Sequence, residues 1–228
     1  MRRHFDEDLK GLNMDIIKMA TLAEEAIFKS IEALKNRDRG LAESVVLGDA
    51  KINDLELLIE EKIIDLLALR QPLARDLRFL TTGMKINAEL ERIADLASNI
   101  ARMVIELVDK PILKPLIDIP KLSDVAIKMV KDSIDAFVDS DEKLAKEVML
   151  YDSRANALRN LIQEELINDY MSKDASTVTR GIPLLLITRS LERICDHATN
   201  IAENVVYMIN AKVLRHNYQY LENDADKE

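Results

Sequence analysis

The chain writes one pattern twice. "LERIADLASNIARM" at 90–103 returns as "LERICDHATNIAEN" at 191–204. Leu90, Glu91, Arg92, Ile93, Asp95, Ala97, Asn99, Ile100 and Ala101 recur 101 positions later as Leu191, Glu192, Arg193, Ile194, Asp196, Ala198, Asn200, Ile201 and Ala202. Upstream the spacing is 103. Ser30, Ile31 and Ala33 match Ser133, Ile134 and Ala136; Asp38, Leu41, Ala42 and Val45 match Asp141, Leu144, Ala145 and Val148. Asp49, Asn53, Leu55, Leu58, Ile59 and Glu61 match Asp152, Asn156, Leu158, Leu161, Ile162 and Glu164. A repeat of this length constrains the fold strongly, because each half must adopt what the other adopts.

What each half adopts follows from its apolar spacing. Leu9, Leu12, Ile16, Met19, Ala23, Ile27, Ile31 and Leu34 fall three or four apart, which predicts an amphipathic helix over 5–36. "NRDRG" ends it. Ile52, Leu55, Ile59, Ile63 and Leu66 predict a second helix over 41–69. Ile86, Leu90, Ile93, Ala97, Ile100, Val104 and Leu107 predict a third over 74–108. "DKPILKPLIDIPK" at 109–121 holds three of the five prolines and reads as a linker. The pattern then restarts, with helices expected over 121–139, 142–171 and 175–211, the last two parted by "SKDAST". With five glycines and no tryptophan, the composition also favours helices over sheets. The expected fold is all-α: two pseudo-symmetric antiparallel three-helix bundles from an internal duplication. Residues 1–110 form the first repeat, 111–120 the proline-rich linker, 121–212 the second repeat and 213–228 a flexible tail.

The formal net charge is −9, which disfavours nucleic acid and anionic lipid and favours cations or basic partner surfaces. The single cysteine, Cys195, permits no internal disulfide, and the N-terminal segment lacks the apolar run of a signal peptide. No stretch approaches the roughly eighteen apolar residues of a spanning helix. The expected location is the cytoplasm.

Most matched positions are apolar and need only packing to explain them. The polar ones ask for more. At about 100° per residue, Glu91, Asp95 and Asn99 stack on the side of the third helix away from its apolar seam, as do Glu192, Asp196 and Asn200 on the sixth. Asp49 and Asn53 flank the apolar stripe of the second helix, and Asp152 and Asn156 that of the fifth. Stacked carboxylates repel each other, by about 0.2–0.5 kcal/mol per exposed pair. Oxygen ligands one turn apart suit a hard cation or a multinuclear cluster, which removes the repulsion. Two plainer readings stand beside this one: a wet surface, and salt bridges to Arg92 and Arg193.

Unmatched acids carry less weight. Glu56 and Glu60 face Arg159 and Gln163 in the alignment of halves and read as plain surface, and Asp8, Glu24 and Glu25 are discounted for want of acidic counterparts. His197 reads as a hydrogen-bonding residue, with His4 and His216 the other two histidines. Cys195 reads as a small packed residue, and Met14, Met19, Met84, Met103 and Met129 as core filler. No Glu-x-x-His, glycine-rich phosphate loop or nucleophile elbow occurs.

The doubled motif, "RQPLARDLR" at 70–78 and the Asp-x-x-x-Asn of helix two resemble the PhoU family of bacterial phosphate regulators, from about Phe5 to Tyr207. The resemblance implies paired three-helix bundles and no catalytic activity. It implies a negative regulator of high-affinity phosphate uptake and phosphate-starvation signalling. Its partners would be the ATPase subunit of the phosphate ABC transporter and the phosphate sensor histidine kinase, met at the inner face of the membrane, and it would form a homodimer. The family's metal-binding motifs map onto Glu91 with Asp95 and Glu192 with Asp196, extended by Asn99 and Asn200, and its helix-two aspartate onto Asp49 and Asp152. The implied ions are divalent or trivalent: iron, zinc, manganese or magnesium. Leu96 against His197 and Arg102 against Glu203 set the halves apart. Two other functions fit the residues themselves, a metal-dependent phosphohydrolase and a metal-free helical scaffold.

Overall fold

The computed structural model describes residues 2–211, with side chains from residue 5 onward. The expected tail at 213–228 and the side chains of His4 and His216 lie outside the described residues. Six long helices follow one another: α1 (Arg2–Asn36), α2 (Arg39–Arg70), α3 (Ala74–Val108), α4 (Asp118–Asp139), α5 (Glu142–Glu165) and α6 (Val178–Asn210). The repeat is visible in local geometry. Asp38 and Asp141 both cap a helix from extended backbone, accepting from the amides of Leu41 at 2.9 Å and Leu144 at 3.0 Å. Each cap follows a residue in the left-handed region, Arg37 and Ser140. The buried hydroxyls of Ser30 and Ser133 donate to the carbonyls of Ile27 and Val130. These four matched polar residues therefore serve the fold, not a site.

In the second half, helix boundaries depart from the sequence reading at three places. α4 starts at Asp118, inside the expected linker, because Pro120 falls in its first turn, where a missing N–H costs nothing. The fifth helix does not stay α-helical to 171; Leu166–Met171 widens into a π-helical turn. α6 begins only after a 3₁₀ turn, Ala175–Thr177, capped by Asp174. Gly181 lies so close to the π-helical turn that a Cβ would stand 2.6 Å from Met171 Sδ.

α3 and α6 pack against each other at the centre, α1 and α2 flank α3, and α4 and α5 flank α6. α1 also meets α4, so the two bundles share one interior. Ile16, Ile59, Ile86, Leu90 and Ile93 of the first half and Phe137, Ile162, Ile187, Leu191 and Ile194 of the second are fully buried. Each contributes about 1.5–3 kcal/mol relative to an exposed side chain. Phe79 of α3 stacks on Phe137 of α4, ring centres 5.0 Å apart. The linker is pinned rather than slack. Pro183 cannot donate to the carbonyl of Thr179, and Lys110 Nζ donates to it instead, at 3.0 Å. Arg37 reaches over to donate to the carbonyls of Val108 and Lys110.

Some apolar residues are not core. The matched pair Leu58 and Leu161 is 50% and 52% exposed, and Met14, expected as filler, is 70% exposed. Met19 and Met129 are buried as expected, with Met84 and Met103 partly so. No helix among the described residues is long and apolar enough to cross a membrane.

Candidate functional site

Antiparallel packing of α2 on α3, and of α5 on α6, turns the two polar stripes of each half toward one another. In the first half the carboxylates feel each other directly. Burial pushes the Asp49 carboxyl above its ordinary value and Asp95 adds to this, while Arg102 and a hydrogen bond from Asn53 oppose it. Burial likewise raises Glu91, helped by Asp95, Glu56 and Asp49 and opposed by Arg92. Asp49, Asn53, Glu91 and Asp95 thus occupy one patch, with Asp95 exposed and Asp49 and Glu91 partly buried.

The second half repeats this. Asn156 Nδ2 donates to Asp152 Oδ2 at 2.7 Å. Burial raises Asp152, with Glu192 adding to it. Asp196 is pushed up to about 6, first by burial, then by Glu192 and Asp152, with His197 and Arg193 opposing. The buried Cys195 thiol is pushed well up by burial and by the same three carboxylates, so it stays protonated and inert.

One atom recurs in both patches. Asp49 Oδ1 and Asp152 Oδ1 are each buried without a hydrogen-bond partner. An unsatisfied buried acceptor costs about 1–3 kcal/mol, and here the cost is carried at the same place in both repeats. An acceptor-only oxygen beside further carboxylates is chemistry that a hard cation satisfies. As placed, among the described residues, no three His, Cys, Asp or Glu side chains close around a common point.

The asparagines at the ends of the stripes stand apart. Asn99 is exposed. Asn200 Nδ2 donates across the repeat boundary to Glu89 Oε2 at 3.3 Å, and His197 Nδ1 meets the same oxygen at 2.6 Å. Burial would raise Glu89, but these two hydrogen bonds together with the charges of His197 and Arg92 outweigh it and hold its carboxyl below the usual range. Arg92 leans on Glu89 at 3.7 Å, and among the described residues neither it nor Arg193 makes an ion pair with the stripe acids. Asp8 and Glu25 pair with Arg70 and Lys29, and Glu24 lies beside Lys131 and Asp135.

The sequence missed two residues. Glu56 is not plain surface, because it acts on Glu91. At the matching position Arg159 Nη2 reaches Glu192 Oε1 at 3.4 Å. Each patch therefore carries an arginine at a different place, Arg102 beside Asp49 in the first and Arg159 beside Glu192 in the second. Glu89 was missed too, since its counterpart is Ser190 and no doubled pattern flags it.

Comparison with known proteins bears on the family and the fold. The family model described as the PhoU domain matches residues 16–104 and again 119–205. The chain is 38% identical to the phosphate-specific transport system accessory protein PhoU homolog of Aquifex aeolicus, over 93% of this chain and 96% of that one. It is 38% identical to the homolog of the same name from Zymomonas mobilis, over 91% of this chain and 87% of that one. The crystal structure of PhoU from Pseudomonas aeruginosa superposes with a TM-score of 0.87 at 34% identity, covering 91% of this chain and all of that one. The phosphate transport system regulatory protein PhoU from Streptococcus pneumoniae gives 0.85 at 27% identity, over 92% and 98%. One domain found once in each half, on the same six-helix course as these structures, means that the chain belongs to the PhoU family.

Proposed function

We propose that this protein is an accessory regulator of phosphate-specific transport, and that it damps high-affinity phosphate uptake and phosphate-starvation signalling. It would do so as a metal-loaded adaptor between the transporter's ATPase subunit and the sensor histidine kinase, in the cytoplasm and as a homodimer. The coarser part rests on relatives named as accessory proteins of the phosphate transport system. The metal rests on one observation: the orphaned oxygens of Asp49 and Asp152, each among repelling carboxylates.

Asp49, Glu91 and Asp95 would hold one ion or cluster, and Asp152, Glu192 and Asp196 another, with Asn53 and Asn156 orienting the helix-two aspartates. Iron, zinc, manganese or magnesium would supply positive charge that knits α2 to α3 and α5 to α6. The chain's own residues then present two rigid faces to partners. A metal-dependent phosphohydrolase is favoured less, because the one thiol is buried and inert and His197, beside Asp196, is held by Glu89.

Deleting the gene and following a phosphate-starvation reporter at high phosphate tests the regulator. The reporter should switch on. A reporter that stays off, with purified protein turning over phosphate esters, overturns the reading. Elemental analysis of wild type against Asp95→Ala and Asp196→Ala tests the metal; each variant should lose the ion of its own half.

A further inference from the structure

The cleft beneath the proline-rich linker belongs to neither repeat alone. It encloses about 320 Å³. Leu34 of α1, Val104 and Leu107 of α3 and Leu184 of α6 form its walls, and Ile112 and Leu113 of the linker cover them. The linker is held over the cleft by the Lys110 and Arg37 bonds to backbone carbonyls.

Among the described residues, every charged residue that lines this apolar space is basic, in a chain of net charge −9. They are Lys35, Arg37, Lys114 and Arg180. Two are neutralised: Lys35 by Glu32 and the buried Lys114 by Glu165. Arg37 spends Nη2 on carbonyls and makes no ion pair with a carboxylate among the described residues. Arg180 is half-buried and makes no ion pair among the described residues; the exposed Asp174 that lies in its field is already bonded to Ser176.

Apolar walls lined by two guanidiniums that no carboxylate pairs with among the described residues select one ligand chemistry. A neutral apolar molecule would leave the arginines unanswered, a cation would be repelled, and inorganic phosphate would leave the walls unfilled. We infer that the cleft binds a small amphiphilic anion, with an apolar body of about ten to seventeen non-hydrogen atoms ending in a carboxylate, sulfonate or phosphate. The volume sets the body, and Arg180 with Arg37 takes the head.

The probe is 8-anilinonaphthalene-1-sulfonate, titrated by fluorescence into the full-length protein and competed with decanoate. One site per chain should saturate. Decanoate should displace the probe, and decyltrimethylammonium should not. Arg180→Gln should weaken binding about tenfold, the loss of one charge-assisted hydrogen bond. Ile112→Asp should weaken it similarly without a change in melting temperature, because Ile112 is 67% exposed. Equal displacement by the cation, many sites per chain, or unchanged affinity in both variants would overturn the inference. So would capture by phosphatidylglycerol vesicles that decanoate cannot reverse, which assigns the patch to a membrane surface. Wild type that binds no probe, with Ile112→Asp dissociating a dimer, assigns the cleft to a second copy and equally overturns it.

Discussion

Asp196→Asn is expected to make the metal-free protein more stable at neutral pH. The wild-type carboxyl titrates at about 6 in the folded chain against an ordinary 3.8, because burial, Glu192 and Asp152 all disfavour its charge. The folded state therefore holds a proton between those values that the unfolded state has released. Stability falls as pH rises through this window and stays lowered above it. Taken whole, the gap corresponds to about 3 kcal/mol at pH 7. Asp196 is exposed enough for solvent to screen most of this, which leaves about 1 kcal/mol. The amide carries no charge, so the variant should gain that amount at pH 7, about 2–4 °C in melting temperature for a chain of this size. At pH 4.5 about two-thirds of the gain should remain. The assay is urea unfolding with chelator at both pH values. Adding manganese should reverse the order, since the wild type gains an ion that the variant cannot hold. An Asn variant that is less stable at pH 7 with chelator, or whose gain is the same at both pH values, would refute the electrostatic account.

Asp38→Ala and Asp141→Ala should each cost about 1 kcal/mol by equilibrium unfolding, and by similar amounts, because both caps have the same geometry. Gly181→Ala should cost about 1–3 kcal/mol through its clash with Met171, and Met171→Ala in the same chain should recover part of that loss in a double-mutant cycle. His197→Leu, the residue that the first repeat has at Leu96, should destabilise by about 1.5–3 kcal/mol, because Glu89 loses its short partner. In the same unfolding assay, the stability that Glu89 provides should be present above its ordinary value of 4.5 and be lost as pH falls through its lower folded value.

The helices were legible because each is long and buries one regular stripe, and the duplication served as an internal alignment. It flagged Asp49, Glu91, Asp95 and their partners, which do share patches. The same device failed where the halves differ. Glu56 has Arg159 as its counterpart and Glu89 has Ser190, so the internal alignment marks neither. Both act on the polar network through helices that meet only in three dimensions; Glu89 and His197 are 108 residues apart. Spacing on one helix also placed Asn200 with Asp196, whereas the rotation of an α-helix over four residues carries it round toward α3. Leu58 and Leu161 show the reverse case, matched and apolar yet exposed, so a shared residue type did not mean a shared interior role.

The stacking of Phe79 on Phe137, within an interior common to both halves, bears on what holds the molecule together. The covalent thread at 109–117 is not the fastening. A protease that nicks the exposed backbone beside Ile112 would yield two fragments that stay docked, and the fragments made separately would find each other and reconstitute the whole. Either fragment by itself would have to present the greasy flank of α3 or α6 to water, and would be a poor candidate for life alone.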